Sequence, residues 1–111
     1  MTDLDPVIHS QGRLRIMTTL TALADGDRIT FPRLQSLLGS TAGNLSAHLR
    51  KLEDAGYVEV VKSHQGRVPS TQVCATTRGR RAFEDYLHAL STLLTPPSPD
   101  VAPTSRTQED R

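Results

Sequence analysis

The stretch Thr41 to Gly56, TAGNLSAHLRKLEDAG, decides how the remainder of the chain is understood. Leu45, Leu49 and Leu52 recur at i, i+4 and i+7, the spacing that lines one face of an α-helix at about 100° per residue. Gly43, Ala47, Arg50, Lys51 and Asp54 then fall on the far side, with Asn44 and Ser46 on the flanks. A face meant only for water carries long charged side chains from its first turn, because those residues form helix well and cover the backbone. Here the first two turns are small or polar. Gly43 costs about 1 kcal/mol relative to Ala inside a helix, which implies that something approaches the backbone closely. Small residues, an amide and a hydroxyl at the N-terminal end, with Arg50 and Lys51 farther along, suit a helix entering a DNA major groove end-first. The alternative is an exposed helix of no special use.

Composition narrows the function classes. A chain of 111 residues supports one domain with a modest core, and two Phe, two Tyr and no Trp make that core aliphatic. No run approaches the roughly 18 apolar residues of a membrane span, and the polar start lacks a signal-peptide pattern, so a cytoplasmic location and no membrane partner are expected. The single cysteine, Cys74, excludes an internal disulfide and a cysteine-rich metal site. His9, His48, His64 and His88 are scattered singly, so neither a metal site nor a cofactor is expected. Catalysis finds no support: no glycine-rich phosphate loop, no nucleophile with an evident base, no paired carboxylates. The net charge of +1 hides an uneven distribution. Residues 28–81 hold nine basic and three acidic residues, a net +6, between acidic ends of −2 and −3. A basic middle is the footprint of a polyanion-binding segment.

Outward from the central helix, the elements follow in order. Ser10 can cap a first helix running to about Ala24, where Gly26 supplies a left-handed stop. Its apolar residues divide into Leu14 and Met17 on one side and Ile16, Leu20 and Leu23 on another, an arc of about 180°, wider than the roughly 100° that covers one core. The excess points to a partner subunit. Arg28-Ile29-Thr30 is a strand stub, and Phe31-Pro32 opens a second helix closed by Gly39. Between Leu38 and Ala42 lie three residues, the turn of a helix-turn-helix, with Thr41 or, as the weaker alternative, Ser40 as the cap of the central helix. Tyr57–Ser63 favours a strand. His64–Ser70, with Gly66 and Pro69, is expected as a hairpin loop, and Thr71–Ala75 as the returning strand with Cys74 facing away from the core. Thr76 caps a last helix over about 77–94, whose Phe83, Tyr86, Leu87, Leu90, Leu93 and Leu94 cover about 160°, again more than one core needs. From Thr95 four prolines and few large apolar residues indicate a disordered tail over 95–111.

Helix, strand stub, helix, turn, helix, two-strand hairpin, helix is the α-β-α-α-β-β-α order of a winged helix-turn-helix, mainly α with a small β-hairpin wing, over residues 1–94. On DPVIHSQGRLRIM, FPRLQSLLGSTAGNLSAHLRKLEDAGYVEVVKS, the GRVPST loop and TTRGRRAFEDYL, residues 5–94 resemble the small single-domain winged helix regulators related to the MarR and ArsR groups. The resemblance implies a homodimer joined by its first and last helices, with recognition helices in successive major grooves and wings beside them. Leu14, Met17, Phe83, Tyr86, Leu87, Leu90 and Leu94 are the expected interface.

For double-stranded DNA the candidate residues are Thr41, Ala42, Gly43, Asn44, Ser46, Ala47, His48, Arg50, Lys51, Lys62, His64 and Arg67. Asn44 can pair with adenine through two hydrogen bonds. Thr41 caps the helix and can present its backbone N–H to a phosphate. The resemblance puts His48 beside the DNA backbone, although a packed histidine is an equal alternative. Arg50 and Lys51 suit phosphates better than bases. Arg67, beside Gly66 at the loop tip, can reach the minor groove, with Lys62 and His64 adding charge. Arg78, Arg80 and Arg81 sit against the helix dipole, which points to an anionic partner or to pairing with Glu84 or Asp85. Two other functions fit less well. A protein-interaction module predicts a hydrophobic or acidic helix face, against the +6 middle. A sensor adds a small-molecule effector between the dimer helices and the DNA-binding part, but no polar constellation names one. The expected activity is transcriptional regulation, most simply repression by occupying a palindromic operator.

Overall fold

The computed structural model describes residues 3–97. Its elements are α1 (Gln11–Thr21), β1 (Ile29–Thr30), α2 (Phe31–Leu38), α3 (Ala42–Asp54), β2 (Val58–Gln65), β3 (Val68–Ala75) and α4 (Thr77–Leu94). The strands form one antiparallel sheet in the order β1-β3-β2, so the stub β1 pairs with β3 through Ile29 opposite Val73 and Thr30 opposite Gln72. The element order is that expected from the residues. The expected tail lies largely outside the described residues; Thr95, Pro96 and Pro97 are exposed beyond α4.

Local chemistry accounts for most boundaries. Thr30, Thr41 and Thr76 each stand in extended conformation before a helix and accept a hydrogen bond from the backbone N–H three residues on, removing one orphan donor each. Gly56, with φ of 80°, ends α3, where its N–H donates to Glu53 O and that of Tyr57 to Leu52 O. That reciprocal pair satisfies two of the helix's last carbonyls.

Three boundaries differ from expectation. Helix α1 stops at Thr21, three residues early, and Gly26 serves a later turn closed by Asp27 N–H on Ala24 O. The carbonyls around that end are met from across the fold: the Arg80 guanidinium donates to Thr21 O (3.3 Å), Leu23 O (3.1 Å) and Ala24 O (3.4 Å). Its Nε lies 3.4 Å from Asp25 Oδ1. Arg80 is thus committed to the end of α1, not to Glu84, Asp85 or an external anion. Ser10 holds the position before α1 but its side chain makes no capping bond. The expected loop over 64–70 contracts to Gly66-Arg67, because β2 and β3 pair as far as Gln65 opposite Val68. Pro69 is tolerated inside β3 because β1 reaches only Gln72 and Val73, leaving one side of β3 unpaired at the proline.

Packing around α1 corrects part of the expected interface. Ile16, Met17 and Leu20 are all buried in the chain's own core with Leu34, Leu45, Leu52 and Val73. Helix α1 contacts α2, α3, α4 and β3, so its wide apolar arc is consumed within the subunit. Met17, Phe83 and Tyr86, expected against a partner, have 0, 8 and 3% of their surface exposed and are core residues. Leu14 and Leu90 are half-buried, while Leu87 and Leu94 are exposed. Cys74 points away from the main cluster, as expected, yet is covered, with its Sγ 3.8 Å from Glu59 Oε1.

The start of α4 crosses the start of β2 at very close range. A Cβ at Gly79 would lie 1.9 Å from Tyr57 O, a backbone atom held by the Thr76 N–H. Gly79→Ala should therefore lower unfolding free energy by about 1–3 kcal/mol or more, as overpacking does. Gly43→Ala, where nothing lies within 4 Å, should raise it by up to about 1 kcal/mol. Urea unfolding of the two variants checks both signs.

Candidate nucleic-acid interface

The three leucines of α3 are 1, 3 and 0% exposed, so the helix is pinned by one edge and its opposite face is free. Thr41, Ala42, Gly43, Asn44, Ser46, Ala47, Arg50 and Lys51 are all exposed. Thr41 Oγ1 accepts from Asn44 N–H at 3.1 Å, which leaves the Asn44 amide group uncommitted in the described chain. No intramolecular neighbour explains Gly43. Nothing among the described residues lies within 4 Å of a Cβ built there, so the close approach expected from its propensity cost is not made within the chain.

Beside α3 stands the hairpin. Gly66, with φ of 67°, adopts the left-handed conformation that tight two-residue hairpin turns require, and Arg67 follows at the tip. Lys62 and His64 are exposed on β2, on the same side of the strand as Val58 and Val60. An open groove runs between helix and hairpin, lined by Ser46, Arg50, Glu53 and Asp54 of α3, by Val60 and Lys62 of β2, and by Phe31, Leu49 and Thr71. Ser46, Arg50 and Lys62 thus come together, while Arg67 and His64 stand farther out on the hairpin.

His48 sits elsewhere. Its ring is half-buried against Gly12 of α1, where a Cβ would approach its Nε2 to 2.5 Å. Arg13 Nη1 donates to its Nδ1 at 3.3 Å, and Arg13 Nε also donates to Val7 O. Arginine has no acceptor, so this bond requires an unprotonated Nδ1 and leaves the proton of the neutral ring on Nε2. Burial, followed by the charges of Arg13 and Lys51, holds the His48 pKa below its ordinary 6.5. On that flank Asn44 and His48 share a second groove with Gln11, Gly12, Arg15 and Ile16 of α1 and with the Leu38-Gly39-Ser40 turn.

Gly12, Arg13 and Arg15 lie outside the set of residues expected from the sequence. A glycine in the first turn of α1 followed by two arginines was the signal available, but nothing in the local pattern says which helix lies against it.

Residues 13–94 match the model of the winged helix DNA-binding domain family, and the chain belongs to that family. It is 38% identical over 85 residues to an uncharacterized protein of Methanocaldococcus jannaschii, covering 76% of this chain and 88% of that one. Among solved structures it resembles a transcriptional regulator homologue from Pyrococcus horikoshii, with a TM-score of 0.72, 31% identity, and coverage of 79% of this chain and 84% of that one. A zinc-responsive MarR family member, ZitR of Lactococcus lactis, shares the fold at a TM-score of 0.57 and 13% identity, covering 81% of this chain and 59% of that one. No helix among the described residues is long and apolar enough to cross a membrane.

The depressed pKa of His48 has a defined sign. The unfolded chain takes up the proton near pH 6.5 while the folded chain resists it, so the stability contribution is full above 6.5 and is lost as pH falls below it. Denaturant unfolding between about pH 7.5 and 5 should show a smaller loss of stability in His48→Gln than in the parent chain. Equal losses would assign the pH dependence to other groups.

Proposed function

We infer that this chain is a sequence-specific transcriptional regulator that acts in the cytoplasm as a homodimer, most simply repressing by occupying a palindromic operator. The observation that carries this is the bare outer face of α3, with no large apolar side chain and an unexplained Gly43, flanked by a basic hairpin across a shared groove. In this function Asn44 and Ser46 read base edges, while Ala42, Gly43 and Ala47 permit close approach. Arg50, Lys51 and Lys62 meet phosphates, and Arg67 and His64 reach the adjacent minor groove or its backbone. The Thr41 side chain caps α3, so its contribution to DNA is restricted to backbone and position.

Dimerisation is supported by what the core leaves over. Leu87 and Leu94 are 45 and 74% exposed on one side of α4, with the half-buried Leu90 between them and Leu14 on α1. Two subunits joined there would offer two α3 helices to half-sites about one turn, roughly 10 bp, apart. A small-molecule effector remains a second layer on this function. A protein-interaction module is disfavoured because the exposed first turns of α3 are neither acidic nor apolar.

Anisotropy titration of a labelled promoter fragment should give an association constant that falls steeply with salt through counterion release. Asn44→Ala should lose about 1–3 kcal/mol of discrimination between operator and unrelated duplex, and Arg67→Ala should weaken binding. Unchanged binding in both variants overturns the groove assignments. In a separate test, sedimentation should show a dimer that Leu87→Glu with Leu94→Glu converts to folded monomer; a parent chain that sediments as one subunit removes the dimer.

A further inference from the structure

Measured around α3 at about 100° per residue, Asn44 and His48 lie on one side of the Leu45 edge and Ser46, Arg50 and Glu53 on the other. The two grooves therefore flank α3 on opposite sides, and the hairpin occupies only one of them. A helix with its side chains is about 10–12 Å across, and the B-DNA major groove is about 12 Å wide. A helix seated there meets a sugar–phosphate wall on each flank. Arg50 and Lys62 are available to one wall. On the other flank the cation is Arg15, supplied by α1.

The chemistry of this second groove is selective. None of its lining residues is acidic, whereas Glu53 and Asp54 line the hairpin-side groove. Arg15 is exposed, and among the described residues the ion pair formed is that of Arg80 with Asp25, so Arg15 has no carboxylate partner there. Arg13 is differently placed, its guanidinium held by Val7 O and His48. Gln11, one turn before Arg15, and Ser40 at the turn add neutral hydrogen-bonding groups beside the guanidinium.

We propose that Arg15, aided by Gln11, binds a backbone phosphate on the wall of the major groove opposite the hairpin, so that α1 clamps the duplex from the far side of α3. This rests on DNA binding by α3, which it deepens. A phosphate contact carries no sequence information of its own, so Arg15 sets affinity and seating, not the operator chosen.

The test uses the full chain, a labelled promoter fragment and an unrelated duplex of equal length, titrated at several salt concentrations. Each phosphate contact contributes about 0.9 to the slope of log K against log salt, and the same relation makes it worth about eightfold in affinity near 0.1 M salt. Arg15→Gln should lower the slope by about 0.9 per subunit and weaken both duplexes equally, leaving their ratio unchanged. Arg78→Gln is the control. Its side chain packs at Gly56, past the C-terminal end of α3, and lines neither of the two grooves that flank the helix. It should leave the slope unchanged, and matching thermal unfolding of both variants excludes a folding effect. A salt-dependent parent chain with an unaltered slope in Arg15→Gln overturns the clamp alone, as do equal losses in Arg15→Gln and Arg78→Gln. A parent chain that binds neither duplex overturns DNA binding itself and the clamp with it.

Discussion

The seating of Leu45, Leu49 and Leu52 in the core is the contact on which the remaining structure depends. Fully burying such side chains is worth roughly 1.5–3 kcal/mol each, and here all three belong to one helix edge. That edge fixes the rotation of α3 about its axis. The same rotation that buries the leucines turns Gly43, Ala47, Arg50 and Lys51 outward and places Asn44 and Ser46 on opposite flanks. The face proposed to meet DNA is thereby held to the core without any of these polar residues having to support the fold.

Close approaches at glycines, one near each end, hold the surrounding elements to that helix. At its C-terminal end, Gly56 turns the chain and Thr76 bridges back, its hydroxyl donating to Gly56 O at 2.6 Å and its N–H to Tyr57 O at 3.0 Å. Gly79 then permits α4 to approach that point, since any Cβ would strike the Tyr57 carbonyl. At its N-terminal half, Gly12 permits α1 to pack on His48 in the same manner, although there the obstacle is a side chain. Arg80 ties α4 to the unfinished end of α1 with a single guanidinium fork. The N-terminal lead-in is drawn onto the body by Asp5, whose carboxylate accepts from Val7 N–H and from the Tyr57 hydroxyl. That bond, together with burial, raises the Tyr57 pKa above its ordinary value.

The elements with strong local chemistry are legible in the sequence. Helices α3 and α4 carry threonine caps, α2 has its proline in the first turn and closes on Gly39, and α3 has a three-leucine edge, whereas the Thr30 cap of α2 reads from the sequence as part of a strand stub. Elements governed by distant contacts are not legible there. The end of α1 is decided by an arginine 59 residues away from Thr21 in the chain, and Pro69 enters a strand only because its neighbour on one side is too short to reach it. Met17, Phe83 and Tyr86 looked like surplus apolar surface because a helical wheel counts residues, not neighbours. With four packed elements around α1, a wide arc is what one subunit consumes.

The amino-acid sequence alone determined the order of elements, the outward face of α3 and the basic character of the middle of the chain, because periodicity, caps and charge are properties of neighbouring residues. Only the tertiary structure decided which apolar residues stay exposed, and that Arg80 serves the fold while Arg15 is exposed beside α3. Those outcomes depend on which helix crosses which. Crossing is set by close approach at glycines such as Gly12 and Gly79, where the absence of a side chain leaves no periodic mark for a local pattern to detect.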